Sequence, residues 1–129
     1  MQTEFILYVA DQARSRDFYR AVLAKEPSLD VLGMTEFDLG GCKLGLMPEA
    51  GIARIVTPAL PHPERARGVP RCELYLLVAN AAEVAARCSA AHAVEVSPLV
   101  ERDWGHLVAY YADPDGHVLA IAERSAPPN

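Results

Sequence analysis

Residues 103–123, DWGHLVAYYADPDGHVLAIAE, decide the fold of this chain, because two apolar runs are separated there by a strong turn sequence. In the turn DPDG, residues 113–116, aspartate accepts hydrogen bonds from the following backbone, proline presets φ and glycine adopts positive φ. The flanking runs are apolar on both faces, which is typical of strands covered on both sides. The stretch therefore predicts a β-hairpin.

The polar side chains of the same stretch allow a second interpretation. Histidine, aspartate and glutamate are metal ligands, and five of them lie here: His106, Asp113, Asp115, His117 and Glu123. A four-residue loop at 113–116 places His106 opposite Glu123 across the hairpin. On that register, Tyr111, Val118 and Ala120 share one face. We interpret the polar residues as the ends of a hairpin, with a metal site as the alternative.

Two segments of the chain begin alike. EFILYVADQARSRDFYRAVL starts at Glu4 and ELYLLVANAAEVAARCSAAH starts at Glu73. Each is an apolar, strand-like run that ends at Asp11 or Asn80, both good helix N-caps, before a helical pattern. Each segment therefore predicts a strand followed by a helix with one buried stripe.

A second pair of stretches, further along the chain, also matches. FDLGGCKLGLMPE from Phe37 resembles ADPDGHVLAIAER from Ala112, with a short insertion near residues 100–105 of the second copy. Each half then contains a strand, a helix and about three further strands, a βαβββ unit of roughly sixty residues. The predicted fold class is α+β, built from two such modules.

The modules and their connection occupy one domain, which the chain length of 129 residues favours. Module one covers residues 1–48, a connecting loop 49–70, module two 71–124, and a frayed tail 125–129. The connecting loop contains four prolines and no sustained periodicity, so we expect no regular structure in it. It either covers a ligand or a partner subunit, or is a plain linker.

Composition excludes several classes of protein. Apolar residues make up 51% of the chain and the net charge is −5, which is globular composition without the basic surface of a nucleic-acid-binding protein. Three cysteines without metal-type spacing argue against a disulfide framework or a zinc knuckle. We expect a cytoplasmic protein that binds neither nucleic acid nor membrane.

The repeated pattern resembles the vicinal oxygen chelate superfamily, which includes glyoxalase I, bleomycin-resistance proteins and extradiol dioxygenases. The resemblance is carried by ILYVAD and RSRDFY in the first module and by RDWGHLVAYYADPDGHVLAIAE in the second. It implies two modules whose sheets form a U-shaped cleft, in a protein that is commonly a homodimer.

Enzymes of this superfamily hold a divalent metal on the first and last strands of a module. The resemblance places the first-strand positions at Glu4 and Glu73 and the last-strand positions at Gly45 and Ala120. Two carboxylates without imidazole are a poor ligand set for a catalytic metal, so we expect no metal and no cofactor. The alternative is a metal-dependent lyase, isomerase or dioxygenase of the glyoxalase type, assisted by a residue such as His92 or His106.

The sequence therefore favours a metal-free protein that sequesters an aromatic or cationic small molecule, as bleomycin-resistance proteins do, and leaves open whether it is an enzyme. Its candidate ligand-binding residues are Tyr8, Tyr75, Trp104, Tyr111, Glu4 and Glu73. Aromatic faces attract cations, and nearby carboxylates compensate their charge. Each of these residues also has a purely structural interpretation. The two glutamates would then be solvated at strand ends, Tyr8 and Tyr75 would be core residues, and Trp104 would fill a gap in the packing. A third possibility is base catalysis by one buried glutamate.

Overall fold

Two compact units, residues 1–69 and the chain from Pro70 onward, make up the protein in a computed structural model that describes residues 1–127. The expected tail, 125–129, is described only as far as residue 127, and its last two residues lie outside the described part. Ser125 N donates to Gly105 O at 2.9 Å.

Unit one has the predicted strand, helix and three strands. Its elements are β1 (Glu4–Val9), α1 (Gln12–Leu23), β2 (Leu29–Val31), β3 (Met34–Asp38), β4 (Lys43–Pro48), α2 (Glu49–Val56) and a 3₁₀ helix (Pro63–Ala66). The sheet order is β1-β4-β3-β2, with β1 parallel to β4 and the other pairs antiparallel.

Unit two repeats this topology, which confirms the duplicated βαβββ architecture. Its elements are β5 (Glu73–Leu77), α3 (Ala81–Ala90), β6 (Val94–Glu101), β7 (His106–Ala112) and β8 (Val118–Arg124). The sheet order is β5-β8-β7-β6, again with the first strand parallel to the last. Among residues 1–127, no helix combines the length and apolarity needed to cross a membrane.

Both predicted N-caps begin their helices. The Asp11 carboxylate accepts from Arg14 N at 3.0 Å, and the Asn80 side chain accepts from Glu83 N at 3.1 Å, so each satisfies a free donor of the first turn. Glu123 adds a third such contact, because its Oε1 accepts from Ala81 N at 2.9 Å.

One face of each sheet is buried in the core of its unit, and the other is partly open. In unit one, α1 contacts β3 and β4, and the core contains Phe37, Leu44, Leu46 and the helix residues Phe18, Tyr19 and Val22. The opposite face carries Ile6 and Tyr8, which are 40% and 39% exposed. In unit two, Leu119, Ile121 and Tyr111 are buried, whereas Tyr75 is 37% exposed.

The expectation of an irregular connecting loop is wrong for much of residues 49–70. Helix α2 and the 3₁₀ helix lie within it, and an ion pair joins them. The Glu49 carboxylate is 5% exposed, and Arg67 Nε donates to its two oxygens at 2.8 and 3.1 Å. A buried carboxylate held by a guanidinium fixes the end of this segment against its beginning.

The β7–β8 hairpin is confirmed, but its register differs by one residue from the prediction. Asp113 N donates to His117 O at 2.8 Å, and Gly116, with φ of 86°, donates to Asp113 O at 3.0 Å. The loop is therefore residues 114–116, a three-residue turn closed by a left-handed glycine, rather than 113–116.

This shorter loop reverses the faces predicted for β7, since a slip of one residue turns every side chain over. Tyr110 lies opposite Ala120 and Tyr111 lies opposite Leu119, so Tyr111 joins the core. The predicted pairing of His106 with Glu123 is also wrong, because Arg124 is the residue opposite His106.

Candidate functional site

The open face of unit two carries two tyrosines, one on each side of the central strand β8. We define this face by Glu73, Tyr75 and Leu77 of β5, Val118, Ala120 and Ala122 of β8, and Val108, Tyr110 and Ala112 of β7. Tyr75, Ala120 and Tyr110 are consecutive partners across the sheet. Val108, Ala120 and Ala122 form a buried apolar cluster against which Tyr110 packs. Tyr111, predicted as a ligand-binding residue, is 4% exposed and lies on the opposite face, so the face predicted for it is wrong.

Trp104 lies at the centre of a second three-residue turn, which joins β6 to β7. Arg102 N donates to His106 O at 2.8 Å, and Gly105, with φ of 85°, donates to Arg102 O at 3.4 Å. This repeats the arrangement at residues 113–117. The turn holds the indole at the surface, where it is 51% exposed, so Trp104 is not a packing plug.

A hydrogen-bonded group of three side chains lies at the edge of this face. Trp104 Nε1 donates to Tyr75 Oη at 2.9 Å, and Tyr75 Oη lies 2.6 Å from His106 Nδ1. The Tyr75 and His106 ring centroids are 5.9 Å apart. These contacts order the exposed rings of Trp104 and Tyr75 in advance of any ligand.

Arg102 and Glu73 bring charge to the same face. The Arg102 guanidinium lies 5.3 Å from the centroid of the Tyr110 ring and donates to Ser97 Oγ at 2.8 Å and to Val108 O at 3.0 Å. Burial raises the pKa of the Tyr110 hydroxyl, and the Glu73 carboxylate raises this pKa further, while Arg102 lowers it. Glu73 itself is exposed.

Glu4 has a different environment in unit one, although the repeat makes it equivalent to Glu73. Its carboxylate lies over Gly45, so closely that a β-carbon on Gly45 would be 2.5 Å from Glu4 Oε1. That oxygen is buried and has no hydrogen-bond partner among residues 1–127. Burial raises the pKa of Glu4 above its ordinary value of 4.5, hydrogen bonding to Glu36 and repulsion from it raise this pKa further, and Lys43 lowers it.

The carboxyl pair of Glu4 and Glu36 is accompanied by one cation. Lys43 Nζ lies 3.6 Å from Glu36 Oε1. A surface pocket of about 500 Å³ adjoins this group, lined in part by Glu4, Lys43 and Cys42. Tyr8, from the same face of β1, lies opposite Met47. Glu4 and Tyr8 thus share the open face of unit one, as the strand alternation predicted.

The superfamily's metal positions do not form a complete ligand set within either unit. Gly45 has no side chain, and Glu4 fills the space above it. Ala120 offers only a buried methyl group in the cluster that Tyr110 covers. Catalytic metal sites normally take three or more side-chain donors, and in the described part of each unit neither first-strand glutamate belongs to such a group. His92, one of the suggested helpers, lies in the turn after α3 and is exposed.

One group of at least three potential metal-ligating side chains has its ligand atoms within 4.8 Å of one another among residues 1–127, namely Asp113, Asp115 and His117. Asp113 Oδ1 accepts from Asp115 N at 2.9 Å and from His117 N at 2.8 Å. Its role is to stabilise the three-residue turn, as Asx turns do. We therefore retain the hairpin interpretation of this cluster.

Sequence reasoning missed Tyr110, Arg102, Glu36 and the role of His106. Tyr110 was missed because a three-residue and a four-residue loop both suit DPDG, and they display opposite faces. Glu36 alternates with buried Thr35 and Phe37 in β3, a pattern visible in the sequence. Its meeting with Glu4 across β4 was not visible, because it depends on strand order.

Solved structures share this fold. The chain is similar to a glyoxalase-related enzyme from Fulvimarina pelagi (23% identity, 96% of this chain and 88% of that chain, TM-score 0.81). It is also similar to a glyoxalase/bleomycin resistance protein/dioxygenase family enzyme from Burkholderia phytofirmans PsJN (15% identity, 95% and 97%, TM-score 0.82). A glyoxalase/bleomycin resistance protein/dioxygenase from Nocardioides matches as well (20% identity, 100% and 86%, TM-score 0.75).

Sequence comparison gives the family directly. No curated protein matches the chain. The sequence profile described as "Glyoxalase-like domain" matches residues 2–126, nearly the whole chain. With the duplicated βαβββ fold, this match identifies the chain as a member of the glyoxalase-like domain family within the vicinal oxygen chelate superfamily.

Proposed function

We propose that this protein binds a small planar aromatic or cationic molecule without a metal and without turnover, as bleomycin-resistance proteins do. The observation that carries the proposal is the ordered aromatic surface of unit two. Trp104 and Tyr75 are 51% and 37% exposed and are joined by a 2.9 Å hydrogen bond. Exposed aromatic rings held in one arrangement lose little entropy when a flat ligand stacks on them.

The Glu73 carboxylate near these rings favours a neutral or cationic ligand, because the Arg102 guanidinium on the same face is already bound to Ser97 and Val108. Glu73 is exposed on the same face, close enough to Tyr110 to raise the pKa of its hydroxyl. In unit one, Tyr8 and Glu4 provide a second tyrosine and glutamate on one open face. A carboxylate beside aromatic rings offsets the charge of a bound cation.

The experiment is a fluorescence titration, because Trp104 is the single tryptophan of the chain. Planar cations and their neutral isosteres are added with EDTA present, and we expect saturable quenching with a Kd of about 1 μM to 100 μM. Tyr75→Ala should weaken binding roughly tenfold, a loss of about 1.4 kcal/mol. Phe5→Ala, which removes an exposed ring of unit one, is the matched control. Unchanged fluorescence across a broad panel contradicts the proposal.

A second candidate function is metal-free base catalysis, favoured by the raised pKa of Glu4. It predicts activity that survives chelation and disappears in Glu4→Gln. The metal-dependent glyoxalase-type alternative predicts instead a stoichiometric transition metal in the purified protein, and elemental analysis distinguishes the two. Such a metal would overturn the metal-free proposals.

We also propose a homodimer in the cytoplasm. The open faces carry exposed apolar side chains such as Ile6 and Leu77, which are 40% and 39% exposed. A second copy of the chain would cover them. Sedimentation equilibrium tests this proposal, and a single species of 14.0 kDa contradicts it.

A further inference from the structure

The three side chains at the edge of the open face of unit two form a hydrogen-bond chain with a defined direction. Trp104 Nε1–H can only donate, so Tyr75 Oη accepts in the 2.9 Å contact between them. The hydroxyl then has its single proton to offer. His106 Nδ1, 2.6 Å away, is the side-chain atom in position to take it.

This direction determines the protonation of the imidazole. A ring nitrogen that accepts a hydrogen bond carries no proton, so a neutral His106 bears its proton on Nε2. The opposite assignment would require Tyr75 Oη to accept twice and would leave the hydroxyl proton without a partner among residues 1–127. Aligned donors also polarise one another, which strengthens the chain that runs from indole to phenol to imidazole.

The Nε2 atom of His106 is accessible. His106 is half-buried. Among residues 1–127, its ring hydrogen-bonds to Tyr75 alone. Nε2 therefore has no partner among these residues, and it is not buried. Solvent therefore reaches this N–H, and the His106 ring lies 5.9 Å from the Tyr75 ring on which a ligand would stack.

We propose that the Trp104–Tyr75–His106 chain fixes His106 as the Nε2–H tautomer, and that this N–H recognises an acceptor oxygen on the rim of a planar aromatic ligand. The ligand class is thus a flat ring system with a carbonyl or phenolic oxygen. The second half of this inference rests on the proposed ligand-binding function, whereas the first half concerns the free protein alone.

The tautomer is measured first, without ligand. Long-range ¹H–¹⁵N correlation spectra at pH 8 distinguish the Nε2–H from the Nδ1–H form of each histidine, and His106→Gln assigns the signal. We expect a single Nε2–H form in the native protein and a mixture of tautomers in Tyr75→Phe, which removes the donor but keeps the ring. His92, exposed in a turn, is the internal control. A native Nδ1–H tautomer overturns the inference.

Recognition is measured second, with 9-fluorenone and fluorene, which differ in one carbonyl oxygen. The Trp104 indole shift follows binding. We expect the native protein to prefer fluorenone by roughly 3- to 10-fold, the effect of one hydrogen bond. His106→Gln, whose amide can place a donor near the Nε2 position, should keep part of this preference, and His106→Asn should lose it.

The outcomes separate the inference from the proposed function. Equal binding of both probes by the native protein overturns the role of His106 while leaving aromatic ligand binding intact. Binding of neither probe overturns the recognition step, and the broader titration with planar cations then judges the proposed function. The tautomer measurement decides on the hydrogen-bond chain in either case.

Discussion

At the scale of single residues, the decisive feature of unit one is the close approach of Glu4 to Gly45. The glycine is buried in β4, and its missing side chain leaves the space that the carboxylate occupies. A glycine at a superfamily metal position is thus explained here by the glutamate that lies over it. The sequence revealed both residues but not their contact.

Substitution of Gly45 by alanine should destabilise the protein by at most about 1 kcal/mol, because the new methyl group would displace the carboxylate at the end of a flexible side chain and crowd Ile6. The new β-carbon would lie 2.5 Å from Glu4 Oε1 and 3.0 Å from Ile6 Cγ1. Urea denaturation measures the loss. In a Glu4→Ala background the cost should be clearly smaller, and equal costs in both backgrounds would contradict the contact.

Glu4→Gln should raise the Tm at pH 7 to 8, by an amount corresponding to about 1 kcal/mol, because an amide is uncharged, so that its burial costs less and Glu36 does not repel it. The folded pKa of Glu4 lies above 4.5, so the folded state binds this proton more tightly. Its stabilising effect is complete below pH 4.5 and is lost as the pH rises through the folded pKa. The advantage of glutamine should therefore grow with pH. The exposed Glu101→Gln is the control, and a lower Tm for Glu4→Gln at pH 8 refutes the argument.

The three cysteines should react with iodoacetamide at very different rates. Burial raises the pKa of the Cys88 thiol to about 11, and this side chain is fully buried, whereas Cys72 is exposed. At pH 8 we expect Cys72 to be alkylated quickly and Cys88 to stay unmodified until urea unfolds the protein. Peptide mass spectrometry gives the rates, with Cys72→Ser as the control. Rapid native alkylation of Cys88 contradicts its burial.

At the scale of elements, local sequence predicted whether most segments are helix or strand. It did not predict the strand register at the β7–β8 turn, where one residue more or less in the loop changes the face that each side chain occupies. Asp11 and Asn80 predicted the starts of α1 and α3, because the hydrogen bonds of an N-cap are made within one turn of the chain. The DPDG turn was equally clear, but not the number of residues in its loop. The segment 49–70 was predicted irregular because its prolines suggested a loop, yet they lie outside the body of α2.

The helical part of that segment should depend on Arg67. Its guanidinium is the partner of the buried Glu49 carboxylate, so Arg67→Met leaves a buried charge uncompensated and should cost about 1–3 kcal/mol. Urea denaturation of Arg67→Met is compared with that of Arg65→Met, which changes an exposed arginine in the 3₁₀ helix that Arg67 follows. The double variant Glu49→Gln/Arg67→Met should recover part of the loss. Equal stability of the two arginine variants would show that the pair contributes nothing.

At the scale of the whole molecule, duplication made the architecture predictable while leaving the site unpredictable. Two copies of one pattern, offset by 69 residues, predicted the paired βαβββ units that the fold and the family match confirm. The open faces of the two units then diverged in their side chains. One holds a carboxyl pair with a lysine, and the other holds a tryptophan, two tyrosines and a histidine. Such differences arise from contacts across strands, which no periodicity encodes.

The length of the β7–β8 turn also determines how the open face of unit two could change during evolution. Tyrosines occupy both positions 110 and 111, so one inserted residue in the turn would exchange the ring that is displayed for the ring that is hidden. An insertion or deletion at the tip of the hairpin would thus replace all the side chains that β7 exposes at once, a larger step than any point substitution there.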